Sequence, residues 1–450
     1  MNVIRHARLL KSKGIALLSD RERLRSRIAR DVVGIGAFKL MSVVFGLLTT
    51  MMLARSLGPV EYGKLALVLA WIPILGLPIA AGMTNLIVRE VAGYHQSGDW
   101  GRLHGFLRRA FQWVLASSFA VGTLVFVAAL FVFDDSPTGV WALLPVAVVM
   151  LPLQGLSSLR ASTLRGLHRT VQGLAPELVI VPGAYLLILA VLSLLSHLSA
   201  RTAVIAMVIA SAIAYGFGTW MLRRVRRTEL PPAVPNFETR RWAGALVPFV
   251  LLATVTTLTG QLGIVLTGLL ASESDVAALR VAVSGAQLVT FSLMMVNQVS
   301  APYYARLRKT EDLHQMKSLA QRATRASFWA ALPLATILAF FARDVIGTLF
   351  GAEYAVLGAD ALVVLVLGQL VNVAFGPIAL ILAMNGHERE SLKAQAGGLF
   401  VNLVVAVLLI PRLGALGGAI GVVAGLLFWN VILAVKVRRR FGFWVSAFSR

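Results

Sequence analysis

The chain has no cysteine among its 450 residues, and only 14% of them are charged. The absent thiols exclude a disulfide framework, a thiolate metal site and a sulfur nucleophile. An ordinary soluble domain is about 25% charged, so this composition excludes a cytosolic enzyme of the usual kind. Acidic side chains are scarcest, 20 Asp and Glu against 42 Lys and Arg. No glycine-rich loop ends in Lys-Ser or Lys-Thr, so direct ATP hydrolysis is not expected. The seven histidines show no ligand spacing with one another or with an acid on one helix face, so neither a metal nor a cofactor is expected.

What is present is apolar: 58% of residues are hydrophobic and the mean hydropathy is +0.80. About 20 apolar residues cross a hydrocarbon core as a helix. Twelve such runs are predicted, near 34–53, 65–88, 111–133, 140–160, 174–196, 203–222, 243–269, 277–300, 326–342, 360–384, 394–410 and 416–437. The ten-residue alternation of membrane strands is missing. The expected fold is therefore an all-α integral membrane protein with twelve transmembrane helices.

A net charge of +22 suggests nucleic acid only when it gathers on one face of a soluble domain. Here it is divided into clusters between apolar runs, so no nucleic-acid partner is expected. With the N-terminus inside, the inner segments hold 35 of the 42 basic residues and the outer segments five. That asymmetry puts both termini in the cytoplasm. The outer connections are short, the longest near 343–359, which leaves no room for a folded periplasmic domain. Residues 1–31 lack the apolar core of a signal peptide. They are expected to lie on anionic inner-leaflet lipids as a basic amphipathic helix; a basic tail without structure is the alternative.

Arg223, Arg224, Arg226 and Arg227 are followed by TELPPAVPNFE, whose prolines prevent a continuing helix. The expected layout is a basic segment 1–31, a six-helix lobe 32–225, a cytoplasmic linker 226–241, a second six-helix lobe 242–437 and a basic cytoplasmic tail 438–450. The inner loops LRGLHRT and MNGHERE, with Gly166 and Gly386 in matching places, suggest parallel repeats around a central cavity.

Polar residues in phase within a span mark a face turned away from lipid. Arg280, Ser284, Gln287 and Gln298 form such a stripe in the eighth span. Gln261 does so with Thr254 and Thr257 in the seventh, and Asn372 with Gln369 in the tenth. Lys39 lies with Gly46 and Thr50 on one face of the first. Hydrogen bonding between helices is the plainer reading of any single member. Glu177, next to Pro176, is the acid set clearly inside a span; it fits either the first turn of a helix or an ion-coupling role. Gly417, Gly421 and Gly425 fit close helix packing.

The segment MLARSLGPVEYGKLAL (52–67) resembles the first outer loop of the polysaccharide biosynthesis family, the lipid-linked oligosaccharide flippases related to the MATE exporters and the lipid II flippase. TLFGAEYAVLGADAL (348–362) is a second match. A third runs from MNGHERE (384–390) through Asn402, Pro411, Gly414 and Gly418. The likeness covers roughly residues 30–440. It departs at Arg280, where the family tends to an aromatic, and it lacks the two further C-terminal spans of the lipid II flippase.

The resemblance implies a flippase that carries an undecaprenyl-diphosphate-linked oligosaccharide across the inner membrane by alternating access around a cationic cavity. The implied partners are that lipid-linked cargo and the polymerase and chain-length machinery of the same pathway. Phosphate needs cations, and the candidates are Lys39, Arg55, Arg89 and Arg280. Two alternatives stay open: a MATE-like cation-coupled antiporter, whose cavity should hold carboxylates, and a membrane polymerase or ligase, which usually carries a large outer loop.

Overall fold

The computed structural model describes the backbone of residues 2–131, 139–310 and 312–448, and side chains from residue 34 onward outside 129–138, 302, 305, 309–311, 449 and 450. The amphipathic character expected of residues 1–31 concerns side chains outside the described residues. The first half of the chain forms α1 (Asn2–Leu75), α2 (Leu77–Ala80), α3 (Met83–Ser97), α4 (Trp100–Phe131), α5 (Val140–Val148) and α6 (Met150–Gly166). It continues with α7 (Thr170–Ala175), a π-helical turn (Pro176–Ile180), α8 (Val181–Leu194) and α9 (Ala200–Glu229). The second half forms α10 (Thr239–Leu270), α11 (Glu273–Thr310), α12 (Leu313–Phe340), α13 (Ala342–Phe350), α14 (Ala352–Phe375), α15 (Ile378–Met384), α16 (Glu388–Leu413) and α17 (Ala415–Phe441). No strand occurs among the described residues.

Ten described helical stretches are long and apolar enough to cross a bilayer, and an eleventh is added if α5 and α6, bent by 41°, make one crossing. The first stretch, Gly34–Ala80, is 47 residues long. A straight helix of that length measures about 70 Å, against about 30 Å of hydrocarbon. Gly58 interrupts it with φ 73° and ψ 172°, a conformation that side chains other than hydrogen exclude. The run expected over 65–88 is also not continuous, because the helix stops at Leu75 and resumes as α2 and α3. Pro73 and Pro78 bring no backbone donor there.

Large apolar side chains face outward, among them Phe119 (78% exposed), Leu187 (67%) and Phe340 (81%). An apolar surface of that kind belongs in lipid. Inside, α16 and α17 approach closely. A methyl group at Gly425 would lie 2.5 Å from the Gly398 carbonyl oxygen, and one at Gly417 2.6 Å from the Leu409 backbone. Gly417 and Gly425 of α17 therefore serve backbone contact.

The inner-loop repeat has a structural counterpart. Arg169 N–H donates to Leu164 O (2.8 Å) and His387 N–H to Leu382 O (2.9 Å), the same helix-ending closure. The residue with positive φ is His168 in one and Gly386 in the other, so the register differs by two residues from the Gly166–Gly386 pairing.

The connection between halves is pinned rather than loose. Its non-helical part is 230–238. Asn236 N–H donates to Gly101 O (2.9 Å) and Arg102 pairs with Glu238 (2.9 Å). This end of the bundle is called the linker end below. The tail is likewise packed: Arg438, Arg439 and Arg440 are the last turn of α17, and the chain then turns at Gly442 to bury Phe443, Val445 and Ala447. Ala447 N–H donates to Ala374 O (2.9 Å).

Candidate functional site

The two halves of the chain meet along α1 and α11. Near the linker end, Lys39 of α1 donates from Nζ to Gln298 Oε1 of α11 at 3.2 Å. These two residues line a cavity of about 360 Å³ together with Thr290 and Asn297. The Asn297 side-chain oxygen is buried with no hydrogen-bond partner among the described residues. A half-buried ammonium among neutral amides and a hydroxyl keeps donors to spare, which suits an anion. A further cavity of about 330 Å³ lies between α2, α3, α6 and α10, lined by Asn85, Gln154, Ser158 and Thr257.

The four expected cations do not converge. Arg280 lies near the far end of the bundle, 18 residues before Gln298, about 27 Å along α11. There its side chain and that of Thr50 lie beside the Tyr62 hydroxyl, and Tyr62 is buried. Arg55 is exposed and donates through Nε to Leu349 O (3.0 Å) and through its terminal nitrogen to Thr348 O. It thus ties α1 to the carbonyl end of α13. Arg89 donates to Glu90 Oε1 (2.8 Å) and lies over the Phe249 ring at 5.4 Å.

The polar stripe divides similarly. Ser284 donates to Arg280 O of its own helix (2.9 Å). Gln287 lines a cavity of about 190 Å³ enclosed by second-half helices. Asn372 donates to Gln369 Oε1 (3.3 Å) and accepts from Asn430 Nδ2 (3.0 Å), joining α14 to α17. Gln261 is half-buried on α10.

Glu177 has a partner at the very end of the run predicted over 140–160, Arg160. Arg160 is only 2% exposed, because α6 continues past it to Gly166. Its guanidinium donates to Glu177 Oε1 (2.6 Å) and to Ala214 O (3.2 Å). Gly218 of α9 makes the room, since a methyl group there would lie 1.0 Å from the guanidinium nitrogen. Arg160 is therefore a buried residue of the bundle, not a solvated loop cation. The signal for it was present: the helix-ending Gly166 lies six residues further on.

Residues 52–358 match the model of a family described as polysaccharide biosynthesis protein. The fold is similar to the inward-facing conformation of a multidrug resistance MATE family transporter of the MOP superfamily, at 13% identity over 91% of this chain and 98% of that one, with a TM-score of 0.72. It is similar to the lipid II flippase MurJ in an inward closed conformation, at 12% identity over 89% of this chain and 87% of that one, TM-score 0.71. A MOP superfamily transporter from Pyrococcus furiosus, whose binding pocket is described as having reverse polarity, is similar at 13% identity over 92% and 95% of the two chains, TM-score 0.65. At such identities the likeness is one of fold. No curated sequence is significantly similar.

Proposed function

The chain belongs to the polysaccharide biosynthesis protein family, and from that premise we propose that it is a flippase for an undecaprenyl-diphosphate-linked oligosaccharide. It moves this cargo from the cytoplasmic to the periplasmic leaflet of the inner membrane, for surface or secreted polysaccharide. The observation that carries the reading is the Lys39 pocket, a cation among neutral polar groups where α1 and α11 meet. A diphosphate cannot enter hydrocarbon bare, whereas a polyprenyl tail can remain there. Lys39 supplies the countercharge, and Gln298 and Thr290 supply neutral hydrogen-bonding partners.

In this reading the two arms of α1 about Gly58 are separate crossings, and with the α5–α6 pair the count becomes twelve, six in each lobe. The distribution of basic residues puts the linker end in the cytoplasm. Alternating access then exposes the Lys39 pocket to one leaflet and then to the other. An interior-negative potential favours outward movement of an anion by about 2.3 kcal/mol per charge per 100 mV. Arg55, Arg89 and Asn372 hold helices together around this pocket, and Arg280, Ser284 and Gln261 belong to the polar faces beyond it.

Glu177 is the proposed ion-coupling residue. Protonation removes its charge and loosens the Arg160 pair, which gives the N-terminal lobe two states. Export that is equal for Glu177→Gln and the unaltered protein across a pH gradient ends that role.

The test of the main reading uses a deletion strain. It should accumulate lipid-linked oligosaccharide by mass spectrometry and lose surface glycan. Lys39→Ala should fail to restore export at normal membrane abundance, and Lys39→Arg should restore part of it. Raised drug susceptibility with intact glycan would turn the reading to a drug antiporter. Glycan joining by the purified chain would turn it to a polymerase or ligase.

A further inference from the structure

The cavity of about 190 Å³ within the second half has a different chemistry from the Lys39 pocket. Thr259, Gln287, Gln369, Gln395, Asn402 and Trp429 supply its polar lining, and no charged residue lines it. Asn402 is 2% exposed, and its side-chain oxygen has no hydrogen-bond partner among the described residues. The buried indole N–H of Trp429 has none either. Both atoms are closed off by packing, so the polar surface offered to an occupant is that of Thr259, Gln287, Gln369 and Gln395, and it suits a polar guest.

The lining selects among occupants. A metal ion calls for carboxylates or a rigid oxygen cage, and an anion calls for a cation; the lining has neither acid nor base. An apolar guest would leave the amides unmatched. A hydroxyl both donates and accepts, as does a side-chain amide taken as a whole, and the indole adds an apolar face. At about 10–15 Å³ per water position, the volume of about 190 Å³ holds roughly 13 to 19 such positions, room for one sugar ring.

Placement agrees with chemistry. Gln287 faces this chamber, and Thr290, Asn297 and Gln298 face the Lys39 pocket. They recur at steps of three, seven and one, so a single face of α11 serves both cavities. Gln287 and Gln298 are about 16 Å apart along the helix, a span that a diphosphate bearing a short sugar chain covers.

We propose that the chamber between α10, α11, α14, α16 and α17 binds an uncharged sugar residue of the cargo through its amide side chains and Trp429, while Lys39 holds the diphosphate. The chamber, not the cation pocket, then sets which glycan is carried. This inference rests on the flippase reading.

The test uses the full chain in lipid nanodiscs, with free glucose and free N-acetylglucosamine as probes read by saturation-transfer difference NMR. Gly260 is the lever: it lines the chamber, and a methyl group added there meets nothing within 4 Å. Gly260→Phe therefore adds a ring at the exposed rim of the chamber without moving backbone, and Gly260→Ala is the small control. Gly216→Phe, on α9 and equally unobstructed, controls for an added ring elsewhere. The unaltered chain, Gly260→Ala and Gly216→Phe should show transfer to at least one sugar. Gly260→Phe and Gln287→Leu should lower it more than about tenfold.

No transfer to either sugar in the unaltered chain, or equal transfer in both Gly260→Phe and Gln287→Leu, overturns the chamber. So does a tryptophan-fluorescence response to sodium chloride, absent with choline chloride, in a chain that binds neither sugar. The two readings fail separately. Export that depends on Lys39 without sugar transfer retires the chamber alone; sugar transfer in a protein whose deletion leaves glycan export intact retires the flippase.

Discussion

A guanidinium inside an apolar bundle stays charged, so it must find partners within the protein. Arg160 has the Glu177 carboxylate and the Ala214 carbonyl. The pair is asymmetric: the Arg160 side chain is 3% exposed and that of Glu177 31%. Glu177 can meet water or accept a proton if left alone, and Arg160 can do neither. Glu177→Leu should therefore lower stability more than Arg160→Leu, by about 3–5 kcal/mol for the former. Thermal unfolding of the purified variants measures both, and the reverse order would defeat the argument. The charge count along the chain missed Arg160 because such a count reads composition; only helix register and the glycine opposite it reveal the buried site. Lys39 was legible, since it lies in phase with Gly46 and Thr50. Its partner Gln298, 259 residues away, was legible only as a member of another stripe.

Among the elements, α1 depends most on one residue. The φ of 73° and ψ of 172° at Gly58 lie in a region closed to L side chains, at about 1–3 kcal/mol. A methyl group there meets nothing within 4 Å, so the whole cost of Gly58→Ala should be backbone strain. Gly46→Ala, also unobstructed and inside regular helix, should be neutral or slightly stabilising, because alanine favours helix over glycine by about 1 kcal/mol. A differential shift in unfolding midpoint between the two tests this. The break before Pro59 was legible as the gap between the runs at 34–53 and 65–88. The widened turn at Pro176–Ile180 was not, because a proline in sequence announces a disturbed helix without saying whether it kinks, stops or gains a residue.

For the whole molecule, the end opposite the linker is sealed. Tyr354 donates from its hydroxyl to Ala54 O (3.2 Å) and its ring meets Tyr62 edge-on at 6.4 Å. Gly63 is packed so tightly that a methyl group would lie 1.8 Å from the Glu273 carbonyl oxygen. Gly63→Ala must part the halves there. The chain has no native cysteine, so Thr50→Cys, buried behind this seam, reports the opening directly. Its labelling by an impermeant maleimide should be faster in the Gly63→Ala background. The same chemistry reads orientation: His197→Cys should label on intact cells, and Val234→Cys only after permeabilisation. Labelling in the opposite pattern would invert the proposed topology.

Composition alone decided the solvent. With 58% hydrophobic residues in runs of membrane length, no other environment covers the apolar surface, and the period of those runs made every segment a helix. The glycine and proline positions further marked the breaks, and the family followed from short motifs in order. Folding decided which polar groups meet. Lys39 found Gln298, Arg160 found Glu177, and Arg55 and Arg280 went to the sealed end rather than to a common cavity. A one-dimensional pattern records which face of a helix is polar. Which neighbour that face meets depends on crossing points and close approaches hundreds of residues apart, and those exist only once the helices have packed.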